Sequence, residues 1–436
     1  MLSNAERSVN LNAGMFNLRH YDVRLLPEPG RVVIRPFSIA PERSQSARAH
    51  RIIETVMNMS AAECAHELSI VDADFDSRHW QTKRVYSKRY AQVMETYGLS
   101  PVLTDAHKVL IGAYFCHEYS YAAAAIMNPS IVPHPDQTGL IHKGDQKFIL
   151  SLRTVGEGHI SSIAFREGIL SADGELTLWP QPPFAIAAAS TEAEPEGEVI
   201  ATRSSAAAIS GLVVFPFTRA QRNGLEDLRL VRFQEENGGV VYYGTYTAYS
   251  GSGIASELVE TFDFNSFRLS PIQGDAARNK GMALFPRRVE GRFAMIGRQD
   301  GESLFFMESD DPRHWNGGEK IMAPKFSWEL VQIGNCGSPI ELDEGWLLLT
   351  HGVGAMRKYS IGAALLDKKD PRRVLGRLEH PLLSPSTENR EGYVPNVLYT
   401  CGAMKHGKHL FLPYALADSS VSFAMVELKS LLGAMV

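Results

Sequence analysis

Cysteine is scarce: Cys64, Cys116, Cys336 and Cys401 lie far apart in 436 residues and form no CxxC pair. Neither a disulfide framework nor a zinc site is implied, and a reducing, cytoplasmic setting fits best. No run approaches the roughly 18 apolar residues of a membrane span. The opening MLSNAERSVNLNAGMF lacks the basic-then-apolar order of a secretory signal. Basic residues number 44 against 49 acidic, a net charge of −5, so a nucleic-acid partner is not expected. No histidines show metal-ligand spacing, since HEYSY (117–121) is not HExxH. There is no GxSxG elbow either. A GxxxxGK match from Gly402 to Lys408 continues with His409 and lies between two strand patterns, so it is read as chance.

What is present divides into two textures. The length suits two or three domains, or one large all-β domain with an extension. In ARAHRIIETVMNMSAAECAHEL (47–68), Ile52, Ile53, Val56, Met57 and Met59 recur at helical spacing. The capping-box pattern SAAE predicts a second helix from Ser60. Further helices are predicted over 87–98 and 105–126, the latter ended by Pro129.

After residue 145 the chain becomes short strands cut by turns, served by 36 Gly and 23 Pro over the whole chain. KFILSLR, HISSIAFR, GELTLW, GLVVFPF, GRFAMIGR, SLFFMES, GWLLLTHG, YSIGAALLD and HLFLPYAL are the strand patterns. Acidic turns recur roughly 45 to 60 residues apart, which is one four-stranded propeller blade per repeat and about five blades in all. A β-sandwich is the alternative. AAASTEAEPEGE (187–198) reads as an exposed loop.

One stretch concentrates charge. RNGLEDLRL (222–230) sets Glu226 and Asp227 between Arg222 and Arg229 at the start of a hairpin formed by LRLVRF and VVYYGTYTAY. It is either a solvated strand end or a carboxylate held rigidly for catalysis. Elsewhere polar groups stand beside glycines at strand ends. Arg153 is near Glu157, His159 and Ser161; Arg278, Lys280 and Arg298 supply cations; His351 and Tyr359 follow; and Asp418 lies in ADSS. Each alone suits a turn anchor or surface charge. In a propeller, such ends converge on one central funnel. An acid among Arg, Lys, His and Tyr donors is suited to protonating a leaving group while binding an anion.

At GLEDLR, ARNKGMALFP, EGRFAMIGR, SDDPRHW, GSPIELDEGWLLLTHG, YSIGAALLDKKDP and EGYVPNVLY, the chain resembles glycoside hydrolase family 130. These are β-mannoside phosphorylases and a few β-mannosidases, and the resemblance runs from about 127 to 428. The helical N-terminal part resembles a longer-chain subset. The resemblance implies an all-β fold, a five-bladed β-propeller over 127–436, with an N-terminal α-helical extension over 1–126. It implies Asp227 as general acid, and Glu226 and Arg229 as groups holding the sugar and the acid. Arg278, Asn279, Arg298, His351 and Tyr359 match phosphate-binding positions. Asn128, Arg153 and Asp418 match sugar contacts, and Lys280 is a further substrate-binding candidate. The family's Glu-Asp-Pro-Arg reads Glu-Asp-Leu-Arg here, so Leu228 keeps the charged triplet and frees the backbone.

The expected activity is inverting phosphorolysis of a β-mannoside oligosaccharide, with inorganic phosphate as co-substrate and no cofactor or metal. A β-mannosidase using water at the same site, and a carbohydrate-binding propeller without activity, are the alternatives. The apolar helix faces of 47–126 must pack on something. They either cover the side of the propeller or reach the funnel rim or a neighbouring subunit. A homo-oligomer is the expected assembly.

Overall fold

The computed structural model describes residues 16–37, 43–99, 102–190, 197–204, 207–386 and 391–436. The opening residues 1–15, and 191–196 of the expected loop, lie outside that set. Two compact units are found. Glu28–Tyr121 with Pro182–Ala187 form one, and the other comprises the described residues up to Pro27, Ala122–Gln181 and Ala188–Val436.

The smaller unit carries four helices: α1 (Arg43–Met57), α2 (Ala61–Phe75), α3 (Thr82–Tyr97) and α4 (Asp105–Tyr114). Ser60 caps α2 as the SAAE pattern requires: its hydroxyl accepts from the Glu63 amide, and the Glu63 carboxylate accepts from the Ser60 amide. Gly98, at φ 63°, ends α3 in the left-handed region. Ile53, Val56, Val93, Met94, Leu110 and Ile111 bury their side chains together in the helical core.

The helix predicted over 105–126 stops at Tyr114. Cys116–Ser120 instead forms a strand paired antiparallel to Val32–Pro36. The five-residue ladder with VVIRP outweighs the helical preference of the preceding run. The alanines that follow also fail to propagate the helix. Ala125–Pro133 is a strand, and Pro129 lies in a register break between Met127 and Ser130 rather than at a helix end.

The larger unit is a five-bladed β-propeller. Each blade is an antiparallel meander, and the innermost strands start at Ala125, Gly224, Ala283, Gln332 and Leu398. The first interval is long because Val199–Thr202 and Leu212–Val214 lie between the first two blades in sequence and add short strands to them. All the strand patterns read from the sequence form strands. The fifth blade draws its outermost strand, Leu18–His20, from near the start of the chain, paired to 424–426.

Period-two side-chain alternation makes the interfaces between blades. On Trp346–Val353, Leu347 and Leu349 enter the core shared with the fifth blade, while Trp346 and Leu348 enter the core shared with the third. On Gly224–Gln234, Val231 and Phe233 face the third blade and Leu225, Leu228 and Leu230 the first. Leu225 and Leu230 are an odd number of residues apart on the same face. That requires an extra residue between them, and the register breaks between Glu226 and Arg229. Leu228, where the family pattern has proline, is buried in the core of the first two blades.

Candidate functional site

The break in register is what builds the site. At Asn128 and Asp227 the inner strands of the first two blades bulge, and both residues adopt left-handed backbone, φ 49° and 58°. Asn279 and Asn396 repeat that conformation beside the inner strands of the third and fifth blades, at φ 66° and 62°. Asn and Asp tolerate this region better than other side chains bearing a Cβ. The five inner strands thus open onto one central cavity of about 200 Å³.

Asp227 is enclosed by donors. Asn128 Nδ2 donates to its Oδ1 at 2.7 Å and Arg153 Nη1 at 3.1 Å. Arg153 Nη2 donates to Glu226 Oε1 at 2.7 Å, and Lys280 Nζ donates to Glu226 Oε2 at 2.7 Å. Arg229 donates to the Asp227 backbone carbonyl and to the Tyr399 hydroxyl, each at 2.9 Å. Burial alone would push the Asp227 pKa up. The charges of Arg153, Arg229 and Lys280, with the Asn128 hydrogen bond, outweigh it and hold the carboxyl well below its usual range. Asp418 behaves oppositely. Burial and the charge on Asp227 raise it to about 6, against the pull of Arg153 and Arg357.

A second wall is cationic. Arg298 Nη1 donates a hydrogen bond to His351 Nε2 at 3.3 Å. Burial, then the Arg298 and Arg229 charges, drive the His351 pKa well below that of free histidine, so the ring is neutral. It stacks on Tyr359, with centroids 5.9 Å apart. Gly334 makes this placement possible: a Cβ there would stand 2.3 Å from the ring.

Of the residues singled out from the sequence, Asn128, Arg153, Asp227, Arg229, Lys280, Arg298, His351, Tyr359 and Asp418 all line this cavity. Glu226 stands behind it, tied in through Arg153 and Lys280. Arg278 is exposed and does not line the cavity. Asn279 does not line it either. Its carbonyl accepts from Ser256 and its side chain from the Lys280 amide, so it shapes the turn that presents Lys280.

Sequence reading did not single out four further polar lining residues, Gln332, Asn335, Arg357 and Tyr399. A signal for one of them was available. Asn279-Lys-Gly281 and Asn335-Cys-Gly337 repeat the same Asn-x-Gly spacing at successive inner strands.

Arg153, Arg229, Lys280, Arg298 and Arg357 bring more positive charge than Glu226, Asp227 and Asp418 can neutralise. Several polar atoms of the walls are buried without a hydrogen-bond partner: Asn128 Oδ1, Arg298 Nε and both side-chain polar atoms of Asn335. Such atoms are costly unless a ligand pairs them, so the cavity is suited to a polyhydroxylated, partly anionic guest. Among the described residues no group of three His, Cys, Asp or Glu could hold a metal ion, and no helix is long and apolar enough to cross a membrane.

Comparison with known proteins matches residues 206–436 to a family model, glycoside hydrolase family 130, described as beta-1,4-mannooligosaccharide phosphorylase. A 1,2-beta-oligomannan phosphorylase of Thermoanaerobacter sp. (strain X514) is 30% identical over 220 residues, covering 49% of this chain and 72% of the relative. A beta-1,2-mannobiose phosphorylase of Listeria innocua is 30% identical over 228 residues, covering 50% and 62%. A glycosyl hydrolase from Bacteroides ovatus superposes with a TM-score of 0.51 at 17% identity, over 72% of this chain and 87% of that one, a likeness of fold alone.

Proposed function

Since the chain belongs to glycoside hydrolase family 130, we propose that it cleaves a β-mannoside by inverting phosphorolysis, giving α-mannose 1-phosphate and a shortened acceptor. The observation that carries this reading is the wall of Arg298, neutral His351, Tyr359 and Lys280 in the cavity that also holds Asp227. A phosphate group is attracted by that wall, whereas a catalytic carboxylate there would repel it.

In the reaction a phosphate oxygen attacks the anomeric carbon from the face opposite the leaving sugar. The new carbon–oxygen bond forms as the glycosidic bond breaks, and the leaving oxygen takes a proton from Asp227. An acid must first hold that proton, and the cations around Asp227 by themselves keep it ionised. Incoming phosphate brings negative charge into the same cluster, offsets those cations and raises the Asp227 pKa towards one useful for donation. Asn128, Arg153 and Asp418 hold the mannosyl unit, and Glu226 fixes Arg153 and Lys280.

Hydrolysis is the second reading, favoured by Asp418, a further carboxyl in the cavity with a raised pKa that could activate water. The relatives' names differ in linkage, so the proposal extends to the β-mannoside class and not to one bond. Incubation with β-mannobioses of each linkage, with and without phosphate, tests it. Sugar phosphate should form only with phosphate present. Equal release of free mannose in both tubes, with no sugar phosphate, would overturn phosphorolysis.

A further inference from the structure

Asn335 is 1% exposed, yet its side chain lines the cavity and neither its oxygen nor its nitrogen has a hydrogen-bond partner. A buried amide is expected to satisfy both groups, and leaving two unpaired is expensive. Packing does not explain the residue, because an apolar side chain there would avoid the penalty.

Its surroundings indicate what would pair it. Asn335 lies on the inner strand of the fourth blade, hydrogen-bonded to the strand that carries His351, and it is the register partner of Thr350. Its Oδ1 lies beside Gly281, where a Cβ would stand in van der Waals contact at 3.6 Å; the neighbouring Lys280 also lines the cavity. It therefore shares a wall with Arg298, His351 and Tyr359, whereas Asn128, Arg153 and Asp227 belong to the first two blades.

We propose that Asn335 is a phosphate ligand, its amide donating to one phosphate oxygen while its carbonyl accepts the remaining P–O–H proton. The assignment rests on the phosphorolytic reading and extends it. Arg298 and Lys280 can only donate, so they recognise negative charge but not a protonated oxygen. Phosphate retains such a proton at neutral pH, and an amide presents a donor and an acceptor side by side.

The test uses the full chain as wild type, Asn335→Ala and the near-isosteric Asn335→Asp, which guards against misfolding from lost volume. Phosphate is varied against a saturating mannoside found in the linkage panel. The rise in thermal midpoint caused by phosphate alone is recorded separately. Loss of a hydrogen bond to a charged group should raise KM for phosphate about tenfold or more. KM for the mannoside should stay within twofold, and the phosphate-induced thermal shift should shrink. The Asp variant should be worse than Ala because it repels the anion. Variants with wild-type phosphate KM and thermal shift, or with only the mannoside KM changed, would overturn the assignment alone. A wild type with neither phosphate-dependent turnover nor a phosphate-induced shift would overturn the phosphorolytic reading and this assignment with it.

Discussion

The Asn128 amide donates to the Asp227 carboxylate at 2.7 Å, from one left-handed bulge residue to another across the first two blades. Neither side chain reaches the cavity by ordinary strand alternation. The extra residue in each strand breaks the ladder and turns the side chain towards the axis. The proposed acid is therefore positioned by backbone on rigid strands, with Asn128 and Arg153 both donating to its Oδ1.

Replacing Asp227 by Asn should preserve this geometry while removing the proton donor. Turnover is expected to fall about 10²–10⁴-fold, with mannoside affinity retained by calorimetry. Near-normal turnover on an unactivated mannoside would place the acid elsewhere.

Asp418 makes stability depend on pH in a definite direction. Its folded pKa of about 6 lies above the ordinary 3.8, so its protonated form is favoured by folding. That contribution is complete below about pH 4 and is lost as pH rises through 6. Asp227, with a depressed pKa, contributes oppositely, and its stabilisation is lost as pH falls below the ordinary carboxylate range. Asp418→Asn should therefore raise stability at pH 7.5 by on the order of 2 kcal/mol, with the gain vanishing near pH 4. Paired unfolding curves at the two pH values check this, and an equal gain at both would contradict it.

Gly334→Ala tests the second wall from beneath. The added methyl carbon would meet the His351 ring at 2.3 Å, and that ring is buried against Tyr359 and Tyr399. Overpacking of this kind costs about 1–3 kcal/mol. The displaced ring should raise KM for phosphate more than KM for the mannoside. Unchanged phosphate kinetics in a folded variant would remove His351 from phosphate binding.

The propeller was legible because its information is local and repeated, in alternating apolar strands and turns at blade intervals; in the helical unit the capping box at Ser60 was legible for the same local reason. The 105–126 segment misled because its helical spacing was real up to Tyr114, while the pairing that takes over at Cys116 involves residues 80 to 88 positions earlier. Most cavity residues were legible from resemblance rather than from periodicity. Asn335 was not singled out, since its only signal was the Asn-x-Gly spacing shared with Asn279, which marks a repeated position but carries no sign of burial. Arg278 shows the converse: it matches a phosphate-binding position of the family, yet its side chain is exposed and does not line the cavity.

The ring is fastened by its two sequence extremes, with Leu18–His20 bonded to 424–426 and the His20 ring near the Tyr414 hydroxyl, 394 positions later. During synthesis the earliest of these strands leaves the ribosome with no partner yet made. At about 5–20 residues per second it waits roughly 20–80 seconds for one. Until then the last blade cannot be completed, so ring closure is an event that follows synthesis of all five blades.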